Sequence, residues 1–147
     1  YDPSTAVTQT APINLAVPRS IAARLNDPGG SFAGGTQNYL LDFGYLFSGQ
    51  SEEVDLIVNS TVTYYIAFTS NNNGAMALTS GGGTVPYTFS VDGSSVDLSG
   101  GYIEAISGES PTTGGPRSYR LKFTIGSLTG AADGRYEDTI TIDVVSQ

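Results

Sequence analysis

The side chains able to do chemistry in this 147-residue chain are carboxylates and phenols: fourteen Asp and Glu and nine Tyr, with no Cys, His or Trp. Without thiolate or imidazole, there is no disulfide framework, no zinc, copper, haem or iron–sulfur ligation, and no Ser-His-Asp or Cys-His nucleophile system. Carboxylates alone leave two chemistries, calcium binding and glycoside hydrolysis. The densest acidic group, Glu52, Glu53 and Asp55, has no Asp-x-Asp-x-Asp-Gly spacing and reads as the solvated start of a strand. Asp92, Asp97, Asp133 and Asp138 lie beside turn glycines, where bonding to local backbone explains them, and Asp138 is placed to help fix the last strand. No acid pair stands out, so the chain reads as non-enzymatic, with no cofactor and no metal.

Tyr64 and Tyr65, with Phe68, would make an aromatic platform for sugar. Strand alternation, however, puts at least one of the two tyrosines in the core, and packing is the simpler role. The triplet Asn59-Ser60-Thr61 matches a glycosylation acceptor, which matters only in a glycosylating host. Net charge is -8, and the six cations (Lys122 and arginines 19, 24, 117, 120 and 135) form no basic stripe. Nucleic acid and anionic membrane surfaces are therefore poor partners.

The elements that must position these residues are strands. Charged residues make up 14%, Gly supplies 19 positions and Pro 7, a composition of short strands joined by many turns. Hydrophobic residues at 39% argue against disorder, and the length suits one domain with its own core. No apolar run approaches the roughly 18 residues of a membrane helix, so membrane insertion is not expected. The chain starts at Tyr1 without an apolar leader, as expected of a processed, secreted protein.

Period-two alternation dominates. Tyr119, Leu121, Phe123 and Ile125 alternate with Arg120, Lys122 and Thr124, and Ile140, Ile142 and Val144 alternate with Thr139, Thr141 and Asp143. These are strands with one wet face. Tyr87, Phe89 and Val91 lead into Asp92-Gly93, a hairpin turn signal, with Val96 and Leu98 on the return strand. Residues 39–47, 54–59 and 63–69 are apolar on both faces and read as central strands. Residues 20–25 are too short for a convincing helix and also fit a strand. About eight strands result, giving an all-β sandwich, with a barrel as the lesser alternative. The N-terminus differs from the rest: Val7, Ala11, Ile13, Leu15 and Val17 form one apolar edge ahead of Pro18.

Leu41-Asp42-Phe43-Gly44, a strand at 54–59, Val85-Pro86-Tyr87 leading to Val91-Asp92-Gly93, and a closing Gly134-x-Tyr136-x-Asp138-Thr139-Ile140-Thr141-Ile142 together resemble the spore coat protein U family. That family includes the major subunits of archaic, Csu-like chaperone-usher pili. The resemblance runs from about Leu41 to the C-terminus. It implies an incomplete immunoglobulin-like β-sandwich, completed by a donor strand from a neighbouring subunit through strand addition to an exposed edge. On that basis residues 1–18 are a donor-strand extension and linker, and residues 19–147 the pilin domain. Val7, Ala11, Ile13, Leu15 and Val17 would be the inserting side chains, and Ile140, Ile142 and Val144 would line the acceptor groove. Leu41, Asp42, Phe43, Gly44, Gly134, Tyr136 and Asp138 carry the motif.

The implied function is a structural subunit of a cell-surface fimbrium, exported through the periplasm and serving adhesion or biofilm formation. Its partners would be copies of itself, with a periplasmic chaperone, an outer-membrane usher and a minor tip subunit. The chain departs from the family in two ways: it lacks the usual cysteine pair, and its segment 26–38, with five glycines and prolines, is longer than the usual first connection. The alternative expectation is a monomeric carbohydrate-binding or tip-adhesin sandwich.

Overall fold

The computed structural model describes residues 10–16 and 21–147. Eleven strands build it: β1 (Thr10–Ala16), β2 (Ala22–Asn26), β3 (Asn38–Tyr45), β4 (Ser51–Asn59), β5 (Tyr64–Ser70), β6 (Ala75–Leu78), β7 (Thr84–Val91), β8 (Ser94–Val96), β9 (Ile103–Glu109), β10 (Arg117–Ile125) and β11 (Tyr136–Ser146). A single 3₁₀ turn at Leu98–Gly100, capped by the Asp97 carboxylate, is the one helical element among the described residues. Of residues 20–25, read as a short helix or a strand, Ala22 to Leu25 lie in β2, as their alternation allows.

The strands form a barrel-like sandwich. One layer runs β2-β4-β10-β7-β8, and the other runs β3-β1-β11-β5-β9. Two seams join the layers. β6 bridges β7 to the first residues of β11. On the opposite side Leu25 and Thr36 exchange backbone hydrogen bonds of 2.6 and 2.8 Å, so the sheet comes close to closing on itself.

Period-two patterning explains the interior. On β10 and β11 the alternate residues Tyr119, Leu121, Phe123 and Ile125, and Ile140, Ile142 and Val144, are buried. Between the layers Phe68 meets Phe89 edge-on at 4.9 Å, and Phe89 stacks on Phe123 at 4.8 Å. The β7–β8 hairpin turns at Asp92-Gly93, both with positive φ (49° and 86°), as a type I′ turn requires.

Two expectations change. There are eleven strands rather than about eight. The additional ones include β6 and β9, which are short or interrupted: β9 carries Gly108 at φ 67° and pairs with β5 through a register shift. Residues 39–47 are not central. Among the described residues β3 has one strand neighbour, β1, and its outward Leu40 is 57% exposed. Apolar content on both faces, which suggests double burial in a strand, here belongs to an edge. β4 and β5, by contrast, are flanked on both sides, as expected.

Candidate functional site

The site is the slot between β11 and β3, with β1 lying in it. β1 runs parallel to β11, with Ile13 opposite Asp138 and Leu15 opposite Ile140, and antiparallel to β3, with Ile13 opposite Leu41 and Leu15 opposite Tyr39. Odd residues point inward: Ala11, Ile13 and Leu15 are buried in the common core, while Asn14 and Ala16 on the other face are half-buried. Of the five side chains assigned to an inserting strand, these three sit together on one buried edge. Val7 and Val17 lie outside the described residues, as does the expected boundary at residue 18.

β1 has a further property that follows from chain order. Its neighbours in the sheet are β3 and β11, and the next strand in sequence, β2, belongs to the opposite layer. No hairpin ties β1 to the strands it pairs with. Among the described residues β3 has no strand partner but β1, so lifting β1 out would open a slot bounded by the edges of β3 and β11. Of the three residues expected to line the groove, Ile140 lies opposite Leu15 in the slot, with Leu41 and Phe43 on the β3 side; Ile142 and Val144, also fully buried on the inner face of β11, lie beyond the last described β1 pair, Ala16 with Thr141.

The motif residues brace this slot. Asp42 accepts a hydrogen bond from the Gly44 backbone at 2.8 Å, and Gly44 takes φ 64°, a conformation that frees β3 to bend after Phe43. Gly134 at φ 144° sits at the mouth, where its carbonyl accepts the Thr10 N–H at 3.3 Å, and a Cβ there would fall 2.5 Å from Leu78 Cδ1. Tyr136 is fully buried, and its hydroxyl donates to the Ala132 carbonyl.

Asp138 is the polar hub. Buried on β11, opposite Ile13, it accepts from Ser70 Oγ at 2.6 Å, from the Asn72 backbone and side-chain N–H groups at 3.1 Å each, and from the Tyr87 hydroxyl. One carboxylate thereby pins the β5–β6 turn and β7 to the strand that carries the slot. Burial, and then the charge of Asp138, push the Tyr87 phenol strongly up, which keeps it a donor. The sequence placed Asp138 at the last strand; its partners on β5, the following turn and β7 had no sequence signal.

The remaining sequence candidates resolve into structural roles. Asp55 is buried and accepts from Arg120 Nε at 2.5 Å and from the Gly29 N–H at 2.8 Å, while Glu53 pairs with the same guanidinium at 3.1 Å. The acidic group therefore ties the 27–30 turn to the sheet, and no cluster of three or more metal-ligating side chains occurs among the described residues. Asp92 accepts from the Arg120 N–H at 2.8 Å. Tyr64 and Phe68 are fully buried, with the Tyr64 and Tyr119 hydroxyls 2.7 Å apart, so those two aromatics are packing; Tyr65 alone of the three faces outward. Asn59 accepts from Thr112 Oγ1 at 3.2 Å. No protein-family model matches the chain, and no curated protein matches it.

Proposed function

We propose that this chain is the structural subunit of an extracellular fibre that polymerises by strand exchange, an incomplete immunoglobulin-like sandwich whose slot takes the N-terminal strand of a neighbouring copy. The observation that carries the reading is the position of β1. It is buried between two strands to which no hairpin connects it, and β3 depends on it for strand pairing. An identical segment from another chain would make the same ladder and fill the same core positions, since nothing in the connectivity distinguishes own from foreign strand. Within one chain β1 closes the slot; between chains the same contacts build a fibre for adhesion or biofilm. An emptied slot would expose an unpaired edge and a strip of core, which favours a chaperone and usher during export and a tip subunit at the fibre end.

The absence of Cys makes the test clean. Asn14 and Leu40 are register partners on the outer face of β1 and β3, where opposed residues suit a disulfide. Two single variants, Asn14→Cys and Leu40→Cys, are mixed under assembly conditions and oxidised. Disulfide-linked heterodimers together with fibres in negative stain are expected. If the double variant closes its bond within one chain while the mixed singles never cross-link, β1 is a fixed part of its own subunit and the reading fails.

A further inference from the structure

The outer face of the β3-β1-β11-β5-β9 layer carries an arrangement that strand exchange does not use. Tyr65 leaves β5 outward because its neighbours Tyr64 and Ile66 are in the core. Tyr102 immediately precedes β9, and the pairing of Phe68 with Ile103 sets it beside Thr69. The two tyrosines lean toward each other along the sheet until their hydroxyls are 3.5 Å apart. Between their positions lies Ala67, which faces outward by alternation and yet is fully buried: the phenols roof it. Tyr102 itself stays 52% exposed, so the roof is an aromatic ledge open to solvent.

Ala67 is also where three strands align two acids. It pairs with Asp143 on β11 on one side and with Glu104 on β9 on the other. Two strand spacings put these residues about 10 Å apart across the ledge. No ion pair to either carboxylate occurs among the described residues, whose four bridges all lie elsewhere. The hydrogen bond to Tyr65, then burial and the nearby charges of Asp143 and Glu104, push the Tyr102 phenol up to about 12.

We infer that this ledge is a binding site for linear aliphatic diamines and polyamines, with one ammonium at Asp143, another at Glu104, and the methylene chain lying across the two phenol rings. The chemistry fits term by term. Two unmatched carboxylates at the ends select against anions and leave a neutral sugar without counter-charge. Tyrosine rings attract ammonium groups through their negative faces and cover alkyl chains, and phenol oxygens accept N–H bonds. A monoamine satisfies one end only. The site is independent of strand exchange, because it lies on the solvent side of β5, β9 and β11 and β1 contributes nothing to it.

The full chain, with its Ala67 methyl labelled for NMR, is titrated at fixed ionic strength with 1,5-diaminopentane, spermidine, butylamine and 1,5-pentanediol. The two polyamines should shift the Ala67 methyl and bind roughly tenfold more tightly than butylamine, the second ammonium acting at high effective concentration; pentanediol should do nothing. Asp143→Asn and Glu104→Gln, both at solvent-facing positions, should each reduce diaminopentane to the affinity of butylamine without moving the unfolding midpoint. Equal affinity for butylamine and diaminopentane would reduce the site to diffuse negative charge and overturn the inference. So would binding of pentanediol, or variants that bind diaminopentane as the parent does.

Discussion

Replacing Ile13 by Ala tests whether the buried edge of β1 holds the sandwich together. Ile13 is fully buried, with β11 on one side and β3 on the other. The substitution removes three carbons, about 2.4 kcal/mol at ~0.8 kcal/mol each. A cavity term adds to this, since the β11 flank is held in place: Asp138, opposite Ile13, is fixed by hydrogen bonds from Ser70, Asn72 and Tyr87. The expected loss is therefore about 3 to 4 kcal/mol, within the range of roughly 2 to 5 kcal/mol for such changes. Against a total stability of about 5 to 15 kcal/mol this is a large fraction. The assay is equilibrium urea unfolding of size-selected monomer, followed by tyrosine fluorescence and far-UV circular dichroism. The midpoint should fall with the slope unchanged. Asn14→Ala, one residue along on the outer face, should change stability by no more than about 0.5 kcal/mol. A loss at Ile13 below about 1 kcal/mol, or an equal loss at both positions, would mean that the odd-numbered edge does not occupy the core.

Two further outcomes follow from the polar interior. Asp138→Ala leaves the Ser70 and Tyr87 hydroxyls without their carboxylate acceptor and Asn72 with only its longer bonds to Ser70 Oγ and the Glu137 carbonyl, and should cost about 2 to 5 kcal/mol in urea unfolding; Asp138→Asn keeps the shape but presents N–H groups to donors, so it should recover only part. Tyr39 is pushed up to about 12 by burial and then by its hydrogen bond to Asp27, and burial also raises Tyr87 and Tyr119. The folded protein holds these phenols neutral where the unfolded chain begins to ionise them, so their stabilising contribution is complete below pH 10 and is lost as pH rises through their folded values. Spectrophotometric titration should show phenolate formation in two stages, the later one coinciding with unfolding; all nine tyrosines ionising together near pH 10 with the far-UV signal intact would contradict this.

Strands with one wet face were legible because their alternation is a direct image of the pleat: β10, β11 and the β7–β8 hairpin follow from Tyr119 to Ile125, Ile140 to Val144 and Asp92-Gly93. The buried edge of β1 was legible for the same reason. β6 was not, because Ala75–Leu78 is four residues of uniformly apolar sequence and offers no period. The edge position of β3 was hidden because Leu40, Tyr45 and Phe47 are apolar and yet exposed, at 57%, 59% and 62%. Composition reports what a side chain prefers and says nothing of whether a neighbouring strand is there to cover it. The Asp138 hub and the Tyr65–Tyr102 ledge were illegible in a stricter sense. The bonds to Asp138 and between the two tyrosines span 37 to 68 residues of sequence and are set by strand register, which no local pattern encodes.

Register is also what the side chains of β1 supply, since its backbone supplies less. Pro12 has no N–H to give to either neighbour, the ladder to β11 is parallel, and the pairing with β3 shifts between Thr10 and Pro12. A slip of one residue would turn Asn14 into the core and expose Ile13 and Leu15, so only even slips compete. A slip of two is resisted by size order. Moving Ile13 to the place of Ala11 overfills a site fitted to a methyl group, whereas moving Ala11 to the place of Ile13 leaves a void; both errors cost kilocalories, about 1 to 3 for the first and 2 to 5 for the second. The sequence Ala11, Ile13, Leu15 thus reads as a small-to-large key. A strand held this way, by graded side chains with a reduced backbone ladder, gains its specificity from the slot and keeps it whether the strand belongs to its own chain or to another.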